Sequence, residues 1–305
     1  MKELIKKVPV PLCGLMLGTA ALGNLLQSYS EIAKNICGVL AVFLLVLVLL
    51  KLLMFPAMIA EEMKNPVSAS VMGTLSMGLM ILSTYVKPYI GQAAFFIWAV
   101  AVFLHIILII YFTFKFIIKL DMTKVFASYY IVYVGIVTAS VTAPAFEMTT
   151  FGNFAFWFGF ITFVLLFIMV SIRHVKFAQI PEPAKPLICI YTAPLSLCIA
   201  GYIQSVTPKS ISFVVGMLIV ATGIYVFALV QAIKCLKFQF YPSFASFTFP
   251  FVISAIATKQ TMAFAAKQEM ALPFINYLVI VETIVAVALL LYTFAGFMKF
   301  IFVKK

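Results

Sequence analysis

PSFASFTFPFVISAIATK, Pro242 to Lys259, is apolar and long enough to cross a bilayer, yet it makes a poor continuous helix. Pro250 directly follows Phe249. A proline inside a helix removes one backbone hydrogen bond and clashes with the preceding turn, so a kink or break is expected there. Ser243, Ser246, Thr248, Ser254 and Thr258 add hydroxyls to the same stretch. In hydrocarbon a broken backbone is tolerated only where protein or a wet cavity satisfies the freed groups. The stretch therefore reads as a pathway-lining span rather than a lipid-facing one.

The rest of the chain has the matching composition. Its 305 residues are 65% hydrophobic and 10% charged, whereas a soluble domain carries about 25% charged residues. Mean hydropathy is +1.18. The fold class expected is all-α and polytopic, a single transmembrane domain over residues 1–305. The segment after Lys6 and Lys7 runs on as a full-length span, so no cleavable signal peptide is expected. Cys13, Cys37, Cys189, Cys198 and Cys235 have no CxxC spacing and read as small packing residues. No His/Cys/carboxylate cluster has metal spacing, and no P-loop, HExxH, GxSxG or paired carboxylate site is present. Enzymatic activity, a metal and a cofactor are therefore not expected.

Ten spans fit the hydropathy, near 9–27, 33–56, 66–85, 91–118, 125–143, 151–172, 184–204, 210–233, 242–264 and 272–299. Ten spans put both termini on one side. That side then holds Lys2, Lys6, Lys7, Lys51, Lys64, Lys115, Lys119, Lys124, Arg173, Lys176, Lys185, Lys234, Lys237, Lys299, Lys304 and Lys305. The other holds Lys34, Lys87, Lys209, Lys259 and Lys267, and the two groups account for all 21 Lys and Arg. The positive-inside rule makes the first side cytoplasmic, in a cell (inner or plasma) membrane. The net charge of +12 is mostly this topological signal and does not require a nucleic-acid partner. Even spans such as GVLAVFLLVLVLLKLLMF are greasy and suit lipid, while odd spans carry most of the Gly, Ser, Thr and Pro. The expected architecture is five helical hairpins with odd helices inside, quasi-five-fold around a central pore.

The odd spans share a local pattern. PLCGLMLGT (Pro11–Thr19) and PVSASVMGT (Pro66–Thr74) both place Gly-Thr seven and eight residues after proline. PLICIYTAP (Pro186–Pro194) has Ala193 at the seventh place, and PSFASFTFP (Pro242–Pro250) has Phe249 there. SYYIVYVGI, from Ser128, lacks the proline and offers Gly135. One level of the expected tube is thus Gly18, Gly73, Gly135, Ala193 and Phe249, flanked by Thr19, Thr74, Pro194 and Pro250. About one turn earlier come Gly14, Ala69, Ile131, Cys189 and Ala245. The Phe249 ring is then the one large group in a narrow tube, where an apolar constriction closes a pore by dewetting and steric block. The plain alternative is packing: Phe249 is one of 32 phenylalanines, and Gly-Thr pairs also allow helices to approach closely.

At Phe244–Thr258, FASFTFPFVISAIAT, the chain resembles the ninth span of the tellurite-resistance/dicarboxylate transporter (TehA-like) family, related to the plant guard-cell slow anion channels. The ten-span layout extends the resemblance over nearly the whole chain. It implies homotrimers in which each protomer has its own pore, closed by a phenylalanine that matches Phe249. It also implies small inorganic or organic anions as partners: chloride, nitrate, malate and other dicarboxylates, sulfite or tellurite. The long soluble tails of the plant channels are not expected here.

Two readings of function follow. The first is a gated anion channel, in which helix-end amides and hydroxyls partly replace hydration and no deep cation traps the ion. The second is a proton-coupled carrier of C4-dicarboxylates or other small oxyanions such as tellurite or sulfite, using Glu282 or His105. An intramembrane carboxylate is costly and invites a role, but Glu282 falls in an even span, where pairing with a neighbouring helix is the alternative. His105 reads either as an interhelical hydrogen-bonding group or as a coupling residue. Arg173, His174 and Lys176 read as an interfacial basic cluster or an anion-attracting vestibule. Lys259 reads as a snorkelling residue or as an attractor at the outer mouth.

Overall fold

Prolines and capping side chains set many of the helix starts in the structure, a computed structural model that describes residues 2–177 and 179–303. Lys304 and Lys305 lie outside the described residues. The chain begins with α1 (Lys2–Lys6), then α2 (Leu12–Leu26) and α3 (Glu31–Met54). The Ser30 side chain caps α3 by accepting from the Ala33 amide. Pro56 starts the short α4 (Pro56–Glu62), and Asn65 caps α5 (Pro66–Val71) through the Val67 and Ser68 amides. After a break at Met72 come α6 (Gly73–Ile90) and α7 (Ala93–Phe112). Gly91 ends α6 with φ +57°, a conformation that glycine adopts without strain.

The remaining helices are α8 (Tyr129–Tyr133), α9 (Val137–Thr142), α10 (Thr149–Lys176), α11 (Ala193–Ser205), α12 (Ile211–Cys235), α13 (Phe249–Lys267) and α14 (Ile275–Phe302). Tight 3-10 segments run into two of them: Glu182–Thr192 leads into α11, and Pro242–Phe247 leads towards α13. No strand occurs among the described residues.

Among the described residues, seven helical stretches are long and apolar enough to cross a membrane. They match expected spans two, three, four, six, seven, eight and ten. The other three expected spans are interrupted or short. Span one is the 15-residue α2. Span five splits into α8 and α9, and span nine into the 3-10 segment and α13. Proline, glycine and hydroxyl residues shorten these regular stretches, as they do wherever backbone is freed inside protein.

Burial separates two classes. In the apolar windows of the stretches containing α6 and α11, 67% and 89% of residues are buried, against 33% in those of α7, α10, α12 and α14. Exposed Val39, Val46 and Leu53 on α3, Phe103 and Ile110 on α7, and Leu165 and Ile168 on α10 cover the exterior. α2 packs on α6, α6 on α9, α9 on α11, α11 on α13, and α13 back on α2. Each of these also packs on the long helix that follows it: α3, α7, α10, α12 and α14 in turn. The chain is therefore a multi-pass membrane protein with a buried inner layer and an apolar outer one.

Candidate functional site

Inside the closed circuit of helices, α2, α6, α11 and α13, together with α8 and its break before α9, surround a cavity of about 90 Å³. Gly14 and Leu17 line it from α2, Thr74 and Met77 from α6, Gly135 from the α8–α9 break, Ala193, Pro194 and Leu197 from α11, and Phe249 and Pro250 from α13. Ala245 and Ser246 of the preceding 3-10 segment complete that side. The wall is overwhelmingly apolar, and none of its lining residues carries a charge.

Phe249 differs from the other phenylalanines of its stretch. Phe244 and Phe247 pack with tilted rings 4.8 Å apart between centroids, and Phe251 meets Tyr225 edge-on at 5.5 Å. All three are fully buried. Phe249 has no aromatic partner among the described residues, and it faces the cavity. Thr248, with φ −94° and ψ −92°, turns the chain between the 3-10 segment and α13. Its hydroxyl lies 2.7 Å from the Ala245 carbonyl and 3.1 Å from the Gly14 carbonyl, which ties the turn to α2.

The glycines divide by where a side chain would go. A Cβ on Gly14 would meet Ala245 Cβ at 3.2 Å. A Cβ on Gly18 would lie 2.6 Å from Thr248 Cβ and 2.8 Å from the Phe249 nitrogen, so Gly18 is where α2 and the start of α13 touch. A Cβ on Gly73 would meet Leu108 at 3.0 Å and Ile131 at 3.1 Å, so Gly73 faces α7 and α8. Gly18, Thr19, Ala69 and Gly73 are not among the lining residues. The Thr19 hydroxyl donates to the Leu15 carbonyl of its own helix. The level set by counting seven from proline thus needs correcting in two helices: Gly14 and Leu17 stand at the cavity in α2, and Thr74 and Met77 in α6. In the level one turn earlier, Cys189 points away, its Sγ 3.6 Å from the Ala228 carbonyl of α12.

This placement carries a stability prediction. Gly18→Ala should destabilise the protein by about 1–3 kcal/mol, the usual cost of overpacking. Thermal unfolding in detergent measures it, and an unchanged midpoint would contradict the contact.

Two side chains of possible coupling function have defined partners. Nε2–H of His105 donates to the Val132 carbonyl at 3.0 Å, and Nδ1 meets the Ser76 hydroxyl at 2.7 Å, so the ring pins α7 to α6 and α8. Glu282 on α14 is 2% exposed and accepts from the Thr258 hydroxyl of α13 at 2.6 Å. Thr258 Oγ1 is also 3.1 Å from the Ser254 carbonyl. Ser254 Oγ in turn lies 2.9 Å from Thr192 Oγ1 and 3.1 Å from Ser196 Oγ. A buried chain of polar groups therefore runs from the outer α14 through α13 to the start of α11. Sequence reasoning missed Thr192, Ser196 and the pairing of Thr258 with Glu282 because the partners are 24 to 62 residues away.

Lys259, Arg173 and His174, singled out as basic groups at the membrane faces, hold backbone carbonyls. Lys259 donates to the Leu25 carbonyl at 2.7 Å and to the Ser28 hydroxyl, and lies over the Tyr29 ring. Arg173 donates to the Phe177 and Thr123 carbonyls, and His174 Nδ1–H to the Val170 carbonyl. No group of three or more His, Cys, Asp or Glu that could hold a metal occurs among the described residues.

A comparison with curated proteins finds none that matches the chain. A protein-family model described as voltage-dependent anion channel (SLAC1) matches residues 7–298, nearly the whole sequence. An uncharged, apolar cavity inside a circuit of broken helices suits a family whose members pass anions across membranes, and the chain belongs to the SLAC1 family of voltage-dependent anion channels.

Proposed function

We infer that the protein is a gated anion channel whose pore runs through each chain and is closed by Phe249. The observation that carries this is the cavity at the centre of the helix circuit, with Phe249 on its wall and no charged group beside it. A weakly interacting wall suits conduction, since an ion that binds tightly does not leave quickly. In this reading the ten segments form five hairpins with quasi-five-fold arrangement, supported by the closed circuit of inner contacts and the outer partner of each helix. The lysine distribution supports both termini being cytoplasmic in an inner or plasma membrane. Assembly as a homotrimer and the range of anions rest on the family resemblance.

The test is anion flux into liposomes holding the purified protein, with and without a pH gradient. A channel gives flux that follows the anion's electrochemical gradient alone. Uphill uptake driven by protons would instead establish the carrier of dicarboxylates or oxyanions such as tellurite or sulfite.

Glu282 is the residue that separates these readings most sharply, because its hydrogen-bond partner Thr258 lies on the helix that carries Phe249. Glu282→Gln retains an acceptor for Thr258 and should leave flux independent of the proton gradient. Glu282→Leu removes the acceptor and should cost about 1–3 kcal/mol by leaving buried polar groups short of partners. Proton-driven uptake that is present in the unaltered protein and lost in a folded Glu282→Gln protein would assign Glu282 to coupling.

A further inference from the structure

A second cavity lies at the end of the bundle that holds Lys6, near where α4 gives way to α5 and beyond the end of α7. It is a cleft of about 520 Å³ lined by Lys64, Lys115, Lys119 and Lys124, with Glu61 and Asp121 as its carboxylates. Lys64 pairs with Glu61 at 2.6 Å and Lys124 with Asp121 at 3.0 Å. The Thr123 hydroxyl, and then Lys124, hold the Asp121 carboxyl below its usual range, so that negative charge is already matched. Lys115 and Lys119 take part in no ion pair among the described residues. Two positive charges therefore remain in one concave site without a counter-charge.

Local structure directs them there. The last turn after α7, Thr113–Ile117, is π-helical, closed by the Ile118 amide on the Thr113 carbonyl. Such wide turns are rare and often lie at functional sites, because they re-aim the side chains that follow. Lys115 Nζ donates to the Tyr111 hydroxyl at 2.6 Å and lies over the ring of Phe116, which lines the cleft. Behind the cleft wall, Arg173 is 1% exposed with its guanidinium 4.6 Å from the centre of the Phe126 ring, and Phe126 itself lines the cleft. Arg173 also has no carboxylate partner among the described residues, and its Nε has no hydrogen-bond acceptor. A buried guanidinium held by carbonyls but not by an opposite charge is expensive, and an anion in front of Phe126 offsets part of that cost.

We propose that this cleft binds a phosphate group, with Lys115 and Lys119 as its principal cations and Lys64 and Lys124 at its rim. The volume exceeds what a monatomic anion fills. Phe114 and Ile118, one residue before each unpaired lysine, are 68% and 63% exposed on the lipid-facing side of the same turn. An anionic phospholipid can lay its chains along those residues and its headgroup phosphate in the cleft, so the headgroup is the favoured source. Val67 lines both this cleft and the central cavity, which places the phosphate at one mouth of the bundle.

The experiment uses the full chain in detergent and reads the thermal unfolding midpoint and bound lipid by native mass spectrometry. The probes are dioctanoyl phosphatidic acid, dioctanoyl phosphatidylcholine and inorganic phosphate, with sodium chloride at matched ionic strength. Phosphatidic acid should bind and raise the midpoint. K115Q/K119Q should weaken that binding about tenfold or more, since each interfacial lysine contributes on the order of 1 kcal/mol. K209Q/K267Q, at the opposite end, should bind as the unaltered protein does. If inorganic phosphate produces the whole effect and loses it in K115Q/K119Q, the site stands and its source is soluble phosphate. No binding of either probe, equal binding by phosphatidylcholine or chloride, or an undiminished effect in K115Q/K119Q would overturn the proposal.

Discussion

Phe249→Ala should raise basal anion conductance by roughly tenfold or more, equivalent to removing about 1.4 kcal/mol from the barrier. The ring stands on the wall of the central cavity, 5% exposed and without an aromatic neighbour among the described residues. It begins α13, just after the turn at Thr248, so a rotamer change moves it without rebuilding the bundle. Truncating a well-packed Phe costs about 3–5 kcal/mol, and a ring with a cavity on one side has fewer contacts to lose, so the cost here should fall below that range. Current through the purified variant, alongside its unfolding midpoint, measures both. Unchanged conductance with a large stability loss would make Phe249 ordinary core.

Adding Ala193→Phe to Phe249→Ala should return the current to the basal level, a fall of roughly tenfold. Ala193, the first residue of α11, is buried and lines the cavity. A ring there replaces the one removed from α13. Gly73, which sequence spacing put at the same level, is unsuitable for this test because its Cβ direction meets Leu108 and Ile131. A Phe at position 73 would disrupt the contact of α6 with α7 and α8 instead of blocking a pore. If the folded double variant conducts as well as Phe249→Ala alone, the current does not pass beside Ala193.

The contrast between Ala193 and Gly73 shows what sequence could and could not supply. Hydropathy and the alternation of greasy and hydroxyl-rich spans gave the membrane class and the inner and outer layers. Proline and its neighbours singled out Phe249, Pro250, Ala193 and Pro194, and these do line the cavity. The seven-residue offset assumed one regular helix from each leading proline. In the structure the chain breaks at Met72 in the third span and tightens to 3-10 geometry in the seventh and ninth, so equal offsets do not give equal facing. Gly73 lies beyond the break at Met72 and became a contact between helices, whereas α2 is regular and Gly18 is a contact because the turn at Thr248 comes against it. Leu17, Met77 and Leu197 escaped notice because large apolar residues carry no mark that distinguishes a cavity wall from lipid or core. The chain of polar groups from Glu282 to Thr192 depends on three helices meeting, which no single span displays.

The reversal potential of the current through Phe249→Ala protein in a planar bilayer, under a tenfold chloride gradient at equal pH, tests the central claim most directly. An anion pore freed of its plug predicts a value close to the chloride equilibrium potential, about 59 mV in magnitude for one charge, unmoved when a pH gradient is then imposed. A reversal potential near zero, or one that follows the pH gradient, would contradict a pore for anions closed by Phe249.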